Sequence, residues 1–335
     1  MARVFLVVLL GLVLAGSGGS GADAAKRYRI AFVTDPSGVS APIMQQNLAG
    51  LRRAVRNLDV EVRIVVQPIR MSWTSTFNGL ARQRYDLVMA PFPNQGPGLV
   101  AAARAYPDQR FVLGDARASA WGASWPANVQ GVSAREEEIG FVVGYLAGLV
   151  ERRRPGRDAV GSVGGFDGVG SVERFISGFR AGARRASPSI RLLNGYANFW
   201  DSDLCKRVAE AQIAKGVGVV FNVAGECGLG TLAAARNRRV WGIGVDQDQS
   251  ALGSHILTSA VKDVGLMTYR TIELLAQGRL ETGGDTLLGL REGVLRLGRV
   301  SPLLPRPLVE RTLEMQRAVA TGRIARIPTT VGSRP

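Results

Sequence analysis

Short apolar runs rich in β-branched residues alternate along the chain with longer stretches in which apolar residues recur every three or four positions. The longer stretches predict amphipathic helices, among them Ile43–Asn57, Gly140–Arg153, Val172–Ala186, Asp203–Lys215 and Leu229–Arg238. The short runs predict ten strands: Arg29–Thr34, Glu61–Val66, Asp86–Ala90, Arg110–Gly114, Val129–Val132, Ala159–Val163, Ile190–Asn194, Val217–Val223, Val240–Val245 and His255–Ser259. Strands that alternate with helices are typical of parallel sheets covered on both faces, so we predict the α/β class.

The number of predicted strands and the length of the chain both indicate more than one domain. Ten strands exceed the five or six of an average sheet, and 335 residues exceed the size at which a single core usually keeps growing. We therefore predict two lobes, each a doubly wound parallel sheet, with a ligand cleft between them.

The N-terminus has the pattern of a secretory signal. Arg3 precedes the apolar run Val4–Leu14, and small residues follow as far as Ala24. This predicts a signal peptide over residues 1–24, cleaved after Ala24. The apolar run is too short to cross a bilayer. A lipoprotein signal would need a cysteine where Ser17 stands, so we expect a periplasmic or secreted protein without a lipid anchor.

The chain is strongly basic, with a formal net charge of +15, and only four of its 42 basic residues are lysines. The densest cluster, Arg152–Arg154 with Arg157, flanks Pro155 and Gly156 and is typical of a solvated turn. Because an exported protein meets little nucleic acid, we predict no nucleic-acid partner and leave an anionic surface or a protein partner as the alternative.

Cysteine and histidine are scarce. Cys205 and Cys227 are the two cysteines, and an oxidising compartment predicts a disulfide between them. With His255 as the single histidine, no structural zinc site can be assembled, and we predict neither metal nor cofactor. His255 lies in an apolar strand and no Gly-x-Ser-x-Gly elbow occurs, so we predict that the protein is not an enzyme.

Three carboxylates stand directly after predicted strands: Asp35, Asp115 and Asp246. Ligands of doubly wound sheets bind beyond the carboxyl ends of the strands. A carboxylate accepts two hydrogen bonds side by side, which suits a vicinal diol or an amino group. The alternative is that each aspartate caps the helix that follows its strand.

Glycine and aromatic residues gather at the same strand ends. The run Gly225–Gly230 follows a strand and opens a helix, so its backbone N–H groups could face a ligand, although ordinary turn geometry is equally compatible. It matches neither a Walker A motif nor the dinucleotide spacing. Phe199 and Trp200 could stack on a flat ligand, with core packing as the alternative.

Several segments together resemble the basic membrane protein (BMP) family from about Arg29 to Leu297. The resemblance rests on Ile30–Asp35, Tyr85–Val88, Tyr106–Phe111, Asn128-Val129 with Glu136–Glu138, Gly144–Gly148, Gly178–Gly182, and Gly242–Ser250 with Leu257–Lys262. It implies a type I periplasmic-binding fold, in a family whose characterised members capture purine nucleosides for ABC importers. It also implies a monomeric receptor that delivers its ligand to an ABC permease.

The resemblance implies ligand contacts at Asp35, Asp115 and Lys262, and a ribose-binding role for Asp246. The family usually has Asp-x-Ser-Phe-Asn after the first strand, whereas Ser40 is followed here by Ala41, Pro42, Ile43 and Met44. Ile43 thus takes the place of a stacking phenylalanine and Met44 that of a base-reading asparagine. We expect a nucleoside-like or other small polar ligand, with signalling through a membrane sensor or chemoreceptor as the alternative to import.

The resemblance also implies that the chain passes between the lobes near Ser133, Ala260 and Thr282. The N-terminal lobe would comprise residues 25–132 and 260–281, and the C-terminal lobe residues 133–259 and 282–330. We expect the ligand to bridge the lobes and to bring them together.

Overall fold

The computed structural model describes residues 27–332 except positions 37, 39, 41 and 157. The predicted signal peptide and its cleavage site lie outside the described residues. The strands are β1 Tyr28–Thr34, β2 Val60–Val66, β3 Leu87–Ala90, β4 Phe111–Gly114, β5 Val129–Ala134, β6 Ala159–Gly164, β7 Arg191–Tyr196, β8 Val219–Val223, β9 Trp241–Asp246, β10 Ile256–Lys262, β11 Asp285–Leu288 and β12 Leu295–Leu297. The helices are α1 Pro42–Asn57, α2 Trp73–Arg82, α3 Gly96–Ala105, α4 Glu136–Glu151, α5 Gly170–Ala186, α6 Ser202–Ile213, α7 Gly228–Asn237, α8 Val264–Ala276 and α9 Arg306–Ala320.

The strands form two six-stranded sheets, and we call each sheet with its covering helices a lobe. The first has the order β11-β5-β4-β3-β1-β2, and the second has the order β12-β10-β9-β8-β6-β7. Every pairing is parallel except that of β10 with β12. The predicted α/β fold of two parallel-sheet lobes is confirmed. The two orders also make the lobes topologically equivalent, so that β4 corresponds to β9, and β2 to β7.

All ten predicted strands are present, and the structure adds β11 and β12. β11 pairs in parallel with β5 of the first sheet, with Asp285 opposite Gly131, although the predicted boundary near Thr282 would place it in the second lobe. β11 includes Asp285 and Thr286, and only Leu288 of its four residues is buried, so its apolar pattern is too weak to be recognised and the pairing with β5 decides its sheet. The other predicted boundaries stay predictions.

Two helix pairs pack at unusually short range through glycines. In the second lobe, a Cβ atom added at Gly144 of α4 would lie 2.0 Å from the carbonyl oxygen of Phe179 on α5. In the first lobe, a Cβ atom at Gly50 of α1 would lie 2.0 Å from the carbonyl oxygen of Gly265 on α8. α8 therefore packs in the first lobe, immediately after β10 of the second.

A disulfide joins Cys205 near the start of α6 to Cys227 just before α7, with a Cα–Cα distance of 5.7 Å. Both cysteines are fully buried. Within the described residues, no helix is long and apolar enough to span a bilayer.

Candidate functional site

The carboxyl ends of the two sheets meet at a buried lysine. Lys262, the last residue of β10, donates from Nζ to Oδ1 of Asp115 at 2.7 Å and to Oε1 of Glu136 at 2.8 Å. Asp115 follows β4 of the first lobe, and Glu136 begins α4 of the second. The lysine therefore links the lobes through two charge-assisted hydrogen bonds.

Glu136 extends this linkage to an arginine. Its Oε2 accepts from Nε of Arg174 on α5 at 2.6 Å, and Arg174 also donates to Oγ of Ser133 at 3.1 Å. Glu136 is completely buried, so the two cations compensate a charge that would otherwise be costly to desolvate. Sequence reasoning missed both Glu136 and Arg174, because nothing in the local pattern couples residues 38 positions apart.

A second arginine approaches the same helix start from the first lobe. Arg117 donates to the carbonyl oxygen of Ala134 at 2.8 Å, and its guanidinium lies 3.8 Å from Oε2 of Glu137. That oxygen is buried and has no hydrogen-bond partner among the described residues. Burial raises the pKa of Glu137 above its ordinary value. The start of α4 is thus packed with charge on the side that faces the first lobe.

Asp115 and Asp246 occupy equivalent positions in the two lobes. Each directly follows or ends an equivalent strand, and each has left-handed backbone geometry, with φ of 54° at Asp115 and 61° at Asp246. This conformation is uncommon for residues other than glycine, although aspartate tolerates it better than most. Strained backbone of this kind is concentrated at functional sites. Both of these strand-end carboxylates, which were chosen from the sequence, lie beside Lys262 in the structure.

The charges in this cluster shift one another's ionisation. Burial raises the pKa of Asp246 to about 6; Lys262 opposes this rise, and the carboxylates of Asp115 and Glu136 add to it. Burial also acts to raise the pKa of Asp115, but its direct contact with Lys262 outweighs burial and lowers that pKa. For Lys262, burial favours the neutral form, yet the surrounding carboxylates raise its pKa above the ordinary value. Among the described residues, Asp246 takes part in no ion pair.

A small apolar cavity opens beside Lys262 in the first lobe. Its walls include Phe32, Ile43, Met89, Phe92, Val112 and Met267, and its polar lining includes Asn47, Asp115, Lys262 and Thr268. Ile43 therefore lies where the family resemblance places a ligand contact. Met44 does not line the cavity: it is 1% exposed and packs in the core, because the next residue of a helix points about 100° away.

Asn47, one helical turn after Ile43, supplies the amide of this cavity. Its Nδ2 donates to the carbonyl oxygen of Ile43 at 3.1 Å, and its Oδ1 accepts from the hydroxyl of Thr268 at 2.6 Å. Sequence reasoning missed it, although its i+4 spacing from Ile43 puts both on one helix face.

Asp246 also borders a wider cleft of about 630 Å³. The first lobe contributes α1 and the start of α8, with Gln45, Gln46 and Arg53, and the second contributes Asp246, Asp248 and Arg296. A solute that reached Asp246 through this cleft would contact both lobes. Within the described residues, no group of three metal-ligating side chains is close enough to hold an ion.

The remaining predicted residues lie at the same sheet ends. Asp35 follows β1 and is half-buried, and the carbonyl oxygen of Asp35 accepts from the N–H of Gly38 at 3.0 Å in a turn. Phe199 is half-buried, and a Cβ atom at Gly165 would lie 2.3 Å from its ring. Gly225 has a φ of 54°, and Trp200 is 67% exposed. None of these four is among the described residues that line the two cavities, and their contact with ligand stays a prediction.

Comparisons of the sequence with protein families and with known proteins agree on one family. The profile of the Bmp family, described as ABC transporter substrate-binding protein PnrA-like, matches residues 28–325. Basic membrane protein D of Borreliella burgdorferi is 36% identical over 177 residues, which cover 51% of this chain and 50% of that protein. The match thus spans about half the length of this relative. The CD4+ T-cell-stimulating antigen of Listeria monocytogenes is 24% identical, and the match covers 95% of each chain.

Among solved structures, an ABC transporter solute-binding protein from Aeropyrum pernix superposes with a TM-score of 0.71 at 22% identity. The superposition covers 90% of this chain and 94% of that one. At this identity the likeness shows the fold alone, which has two α/β lobes.

Proposed function

The chain belongs to the Bmp family of ABC transporter substrate-binding proteins, and we propose that it captures a nucleoside-like small polar solute by closure of its two lobes and passes it to an ABC permease. We propose further that the mature chain starts after Ala24, works outside the cytoplasmic membrane as a monomer without a lipid anchor, and catalyses no reaction. Sensing on behalf of a membrane receptor is the competing function that the tests must separate from transport.

The single observation that carries this proposal is the position of Asp246. It ends β9 in the second lobe, borders the cleft shared with the first lobe, and forms no ion pair with another described residue, since Lys262 is engaged by Asp115 and Glu136. An ionised carboxylate offers acceptors alone. A ligand with paired hydroxyl groups, such as a ribose, would supply the missing donors.

The apolar cavity beside Lys262 supports a ligand with two chemically different ends. Ile43, Phe92 and Met267 offer an apolar surface for a ring or a short aliphatic group, while the carboxylates lie at its edge. In place of an aromatic stack, the first lobe supplies aliphatic and thioether contacts, which are less specific for a flat base. We therefore propose a nucleoside or a related glycoside, without assigning a base.

Calorimetry on the purified mature chain tests the proposal, with adenosine, guanosine, inosine, uridine and ribose as the solutes. We expect at least one nucleoside to bind, and Asp246→Ala to weaken its binding by at least about a hundredfold, since two charge-assisted bonds of about 1.5–3 kcal/mol each disappear. Near-wild-type affinity in a variant with an unchanged melting midpoint would show that Asp246 does not bind the solute. Uptake of the bound solute by cells with and without the gene separates transport from sensing.

A further inference from the structure

The chain that follows α9 runs across α5 of the second lobe. We call residues 321–332 the tail. The hydroxyl of Ser177 on α5 donates to the carbonyl oxygen of Pro328 at 2.7 Å, and the N–H of Val331 donates to Oε2 of Glu173 at 3.0 Å. Two points of α5 therefore hold the tail in place.

A cavity of about 660 Å³ lies between the tail and α5, and we call it the tail cavity. Its volume is within the range of small-molecule sites, about 300–1,000 Å³. None of its lining residues lines the cleft beside Asp246 or the apolar cavity beside Lys262, so it is a separate site. Its apolar walls include Phe141, Ile324, Ile327 and Val331.

Four arginines line the tail cavity: Arg180, Arg184, Arg185 and Arg326. No carboxylate is among its described lining residues, and none of the four arginines forms an ion pair with another described residue. Glu173, the acid that holds the tail, is already engaged, because it also accepts from the hydroxyl of Tyr196. The positive charge of this cavity is therefore left for an anion from outside the chain.

The helix dipole explains two of these arginines and leaves two unexplained. Arg184 and Arg185 lie in the last turn of α5, where a cation is favoured. Arg180 is half-buried and lies before that turn, and burial lowers its pKa, as does the neighbouring charge of Arg184, against the opposing effects of Tyr196 and Glu173. Arg326 lies on the tail, with a φ of 56° that is uncommon for arginine. Strained backbone of this kind is concentrated at functional sites.

The arrangement of the arginines indicates the kind of anion. Arg180 and Arg184 are four residues apart and share one face of α5, and Arg326 approaches from the tail. A carboxylate has two acceptor oxygens, whereas a phosphate monoester has three and a charge of about −1.5 to −2 at pH 7. Guanidinium groups recognise phosphate in bidentate geometry. The apolar walls would contact the group that the phosphate carries.

We propose that the tail cavity is a second binding site, which takes a phosphate monoester that carries an apolar or aromatic group. Such an ester is either a soluble metabolite or the headgroup of a lipid, and the two sources share the chemistry that the arginines recognise. The inference does not depend on the proposed function, because no residue of the interlobe site takes part in it.

Calorimetry in a phosphate-free buffer tests the ligand class, with phenyl phosphate, dihexanoylphosphatidate, inorganic phosphate and phenol as the probes. We expect phenyl phosphate to bind about tenfold or more tightly than inorganic phosphate, because its ring leaves water for the apolar walls. Phenol should not bind measurably, since it lacks the anion. Absence of binding by both esters would overturn the proposal.

Substitution of the arginines tests the location. Arg180→Gln combined with Arg184→Gln should weaken phenyl phosphate binding by about tenfold or more, as the loss of charge-assisted hydrogen bonds does. Arg52→Gln combined with Arg56→Gln is the matched control, because these exposed arginines of α1 have the same spacing and charge, and it should leave the affinity unchanged. Arg326→Gln, at an exposed position of the tail, should also weaken binding. All variants should retain the melting midpoint. Equal losses in the two double variants would show attraction by net charge alone and overturn the site.

Hydrogen exchange and competition separate this site from the interlobe cleft. Bound phenyl phosphate should slow exchange in residues 178–188 and 322–332, and saturating adenosine should leave its affinity unchanged. Competition between the two compounds, or protection confined to the cleft, would place the ester between the lobes and overturn the proposal. Failure of adenosine to bind would count against the proposed function alone.

Vesicle flotation distinguishes the two sources of the ester. The unaltered chain is mixed with vesicles of phosphatidylcholine, with and without phosphatidate. Flotation that requires phosphatidate and is lost in the Arg180→Gln, Arg184→Gln variant supports the site and identifies a lipid headgroup. Binding of phenyl phosphate in solution without flotation supports the site and identifies a soluble ester. Flotation that persists unchanged in this variant, together with unchanged affinity for phenyl phosphate, would overturn the tail cavity as the site.

Discussion

Asp115 and Asp246 end equivalent strands, share the same unusual backbone conformation, and yet differ in ionisation. Asp115 has a direct bond to Lys262 that lowers its pKa, whereas Asp246 has no such bond and its pKa rises to about 6. The two pKa values differ because Asp115 accepts a hydrogen bond from Lys262 and Asp246 does not. The carboxylate of Asp246 in the second lobe therefore keeps acceptor sites for the hydrogen-bond donors of a ligand.

The raised pKa of Asp246 predicts that ligand affinity depends on pH. In the free protein this carboxyl holds its proton up to about pH 6, well above the usual value near 4. A diol needs the ionised form, so affinity should be constant above about pH 7 and fall by up to tenfold per pH unit below 6. Calorimetry from pH 5 to 8 measures this, with Asp246→Asn as the control whose weaker affinity should not vary. A flat profile for the unaltered chain would place the diol elsewhere.

The same shift has the opposite sign for stability. Between about pH 4 and pH 6 the folded chain binds more protons at Asp246 than the unfolded chain does, so this residue's contribution to the free energy of unfolding decreases as pH rises through that window. Asp246→Asn should therefore stabilise the ligand-free protein by about 1–3 kcal/mol at pH 7, as a two-unit shift implies, and have no effect at pH 4. Urea unfolding at both values measures the difference, and equal effects at the two values would contradict it.

Glu136 is predicted to be the most sensitive residue of the cluster. Glu136→Gln would leave Lys262 and Arg174 buried without the carboxylate that both contact, and breaking a buried pair in this way costs about 3–5 kcal/mol. Denaturant unfolding measures the loss. Glu281→Gln, at an exposed position, should stay within about 0.5 kcal/mol. A loss at Glu136 no larger than that of the control would mean that solvent replaces the carboxylate.

The residues of the site divide into those that sequence could reveal and those it could not. Asp115 and Asp246 stand at strand ends, so pattern alone places each at the carboxyl end of its own sheet, where ligands of such sheets bind. That the two sheet ends face each other is a tertiary effect. Glu136 and Arg174 come together because α4 and α5 pack at very short range, which is a tertiary effect. Met44 was placed by alignment to the family motif, which does not specify the side of the helix that the residue occupies.

At the scale of elements, buried apolar runs were recognised and two partly exposed edge strands were not. β11 and β12 have four and three residues, and each includes a polar or charged side chain that breaks the run. Their place is determined by backbone pairing with β5 and β10, to which residues more than a hundred positions away contribute in the case of β11. Runs such as β8, by contrast, are buried along their whole length and stand out in the sequence.

The contact between α4 and α5 predicts a large effect of a small substitution. At Gly144 a methyl group would meet the carbonyl oxygen of Phe179 at 2.0 Å, so Gly144→Ala must push two buried helices apart. Overpacking of this kind costs about 1–3 kcal/mol or more. Gly79→Ala on α2 is the matched control, because its nearest neighbour atom lies 4.0 Å away on a flexible arginine. It should stabilise by up to about 1 kcal/mol through helix propensity. Thermal unfolding of both variants decides, and equal midpoints would contradict the close packing.

The disulfide predicts a local as well as a global effect. Its residues are 22 apart, and a loop of that size stabilises by about 3 kcal/mol on the chain-entropy model. Cys227 N–H also donates to the carbonyl oxygen of Phe199 at 3.1 Å. The disulfide therefore helps to hold the loop that contains Phe199 and Trp200, between β7 and α6, against the start of α7. Replacing both cysteines by alanine should lower the melting midpoint and speed hydrogen exchange in residues 198–204 and 224–230. Exchange that accelerates equally in the first lobe would show a global effect alone.

On the scale of the whole molecule, many of the arginines lie at the carboxyl ends of helices. Arginines occupy the last turns of α1, α2, α3, α5, α7 and α9, where they face the negative end of the helix dipole. For α1, α2, α3, α5 and α7, which follow parallel strands, these turns lie at the sheet ends opposite the ligand site. The arginines of these helix ends thus lie away from the cleft, whereas Arg53 and Arg296 line it and Lys262 lies beside it.

The chain crosses between the lobes three times on one side of the sheets, which predicts a hinge there. We predict the largest movement at the opposite edges, in the loops after β2 and β7. We expect ligand to shorten the distance between positions 69 and 200, which lie on the equivalent loops of the two lobes. Spin labels at Ile69→Cys and Trp200→Cys report that distance, and the native cysteines cannot interfere because both are buried in a disulfide. Labels at positions 200 and 303, both in the second lobe, provide the control pair, and the distance between them should not change.

Because Asp246→Ala weakens ligand binding, this substitution should abolish the shortening at a ligand concentration that saturates the unaltered chain. An unchanged 69–200 distance in the saturated protein would show that the lobes are a rigid frame, and the crossings after β5, β10 and β11 would then be connections without a hinge.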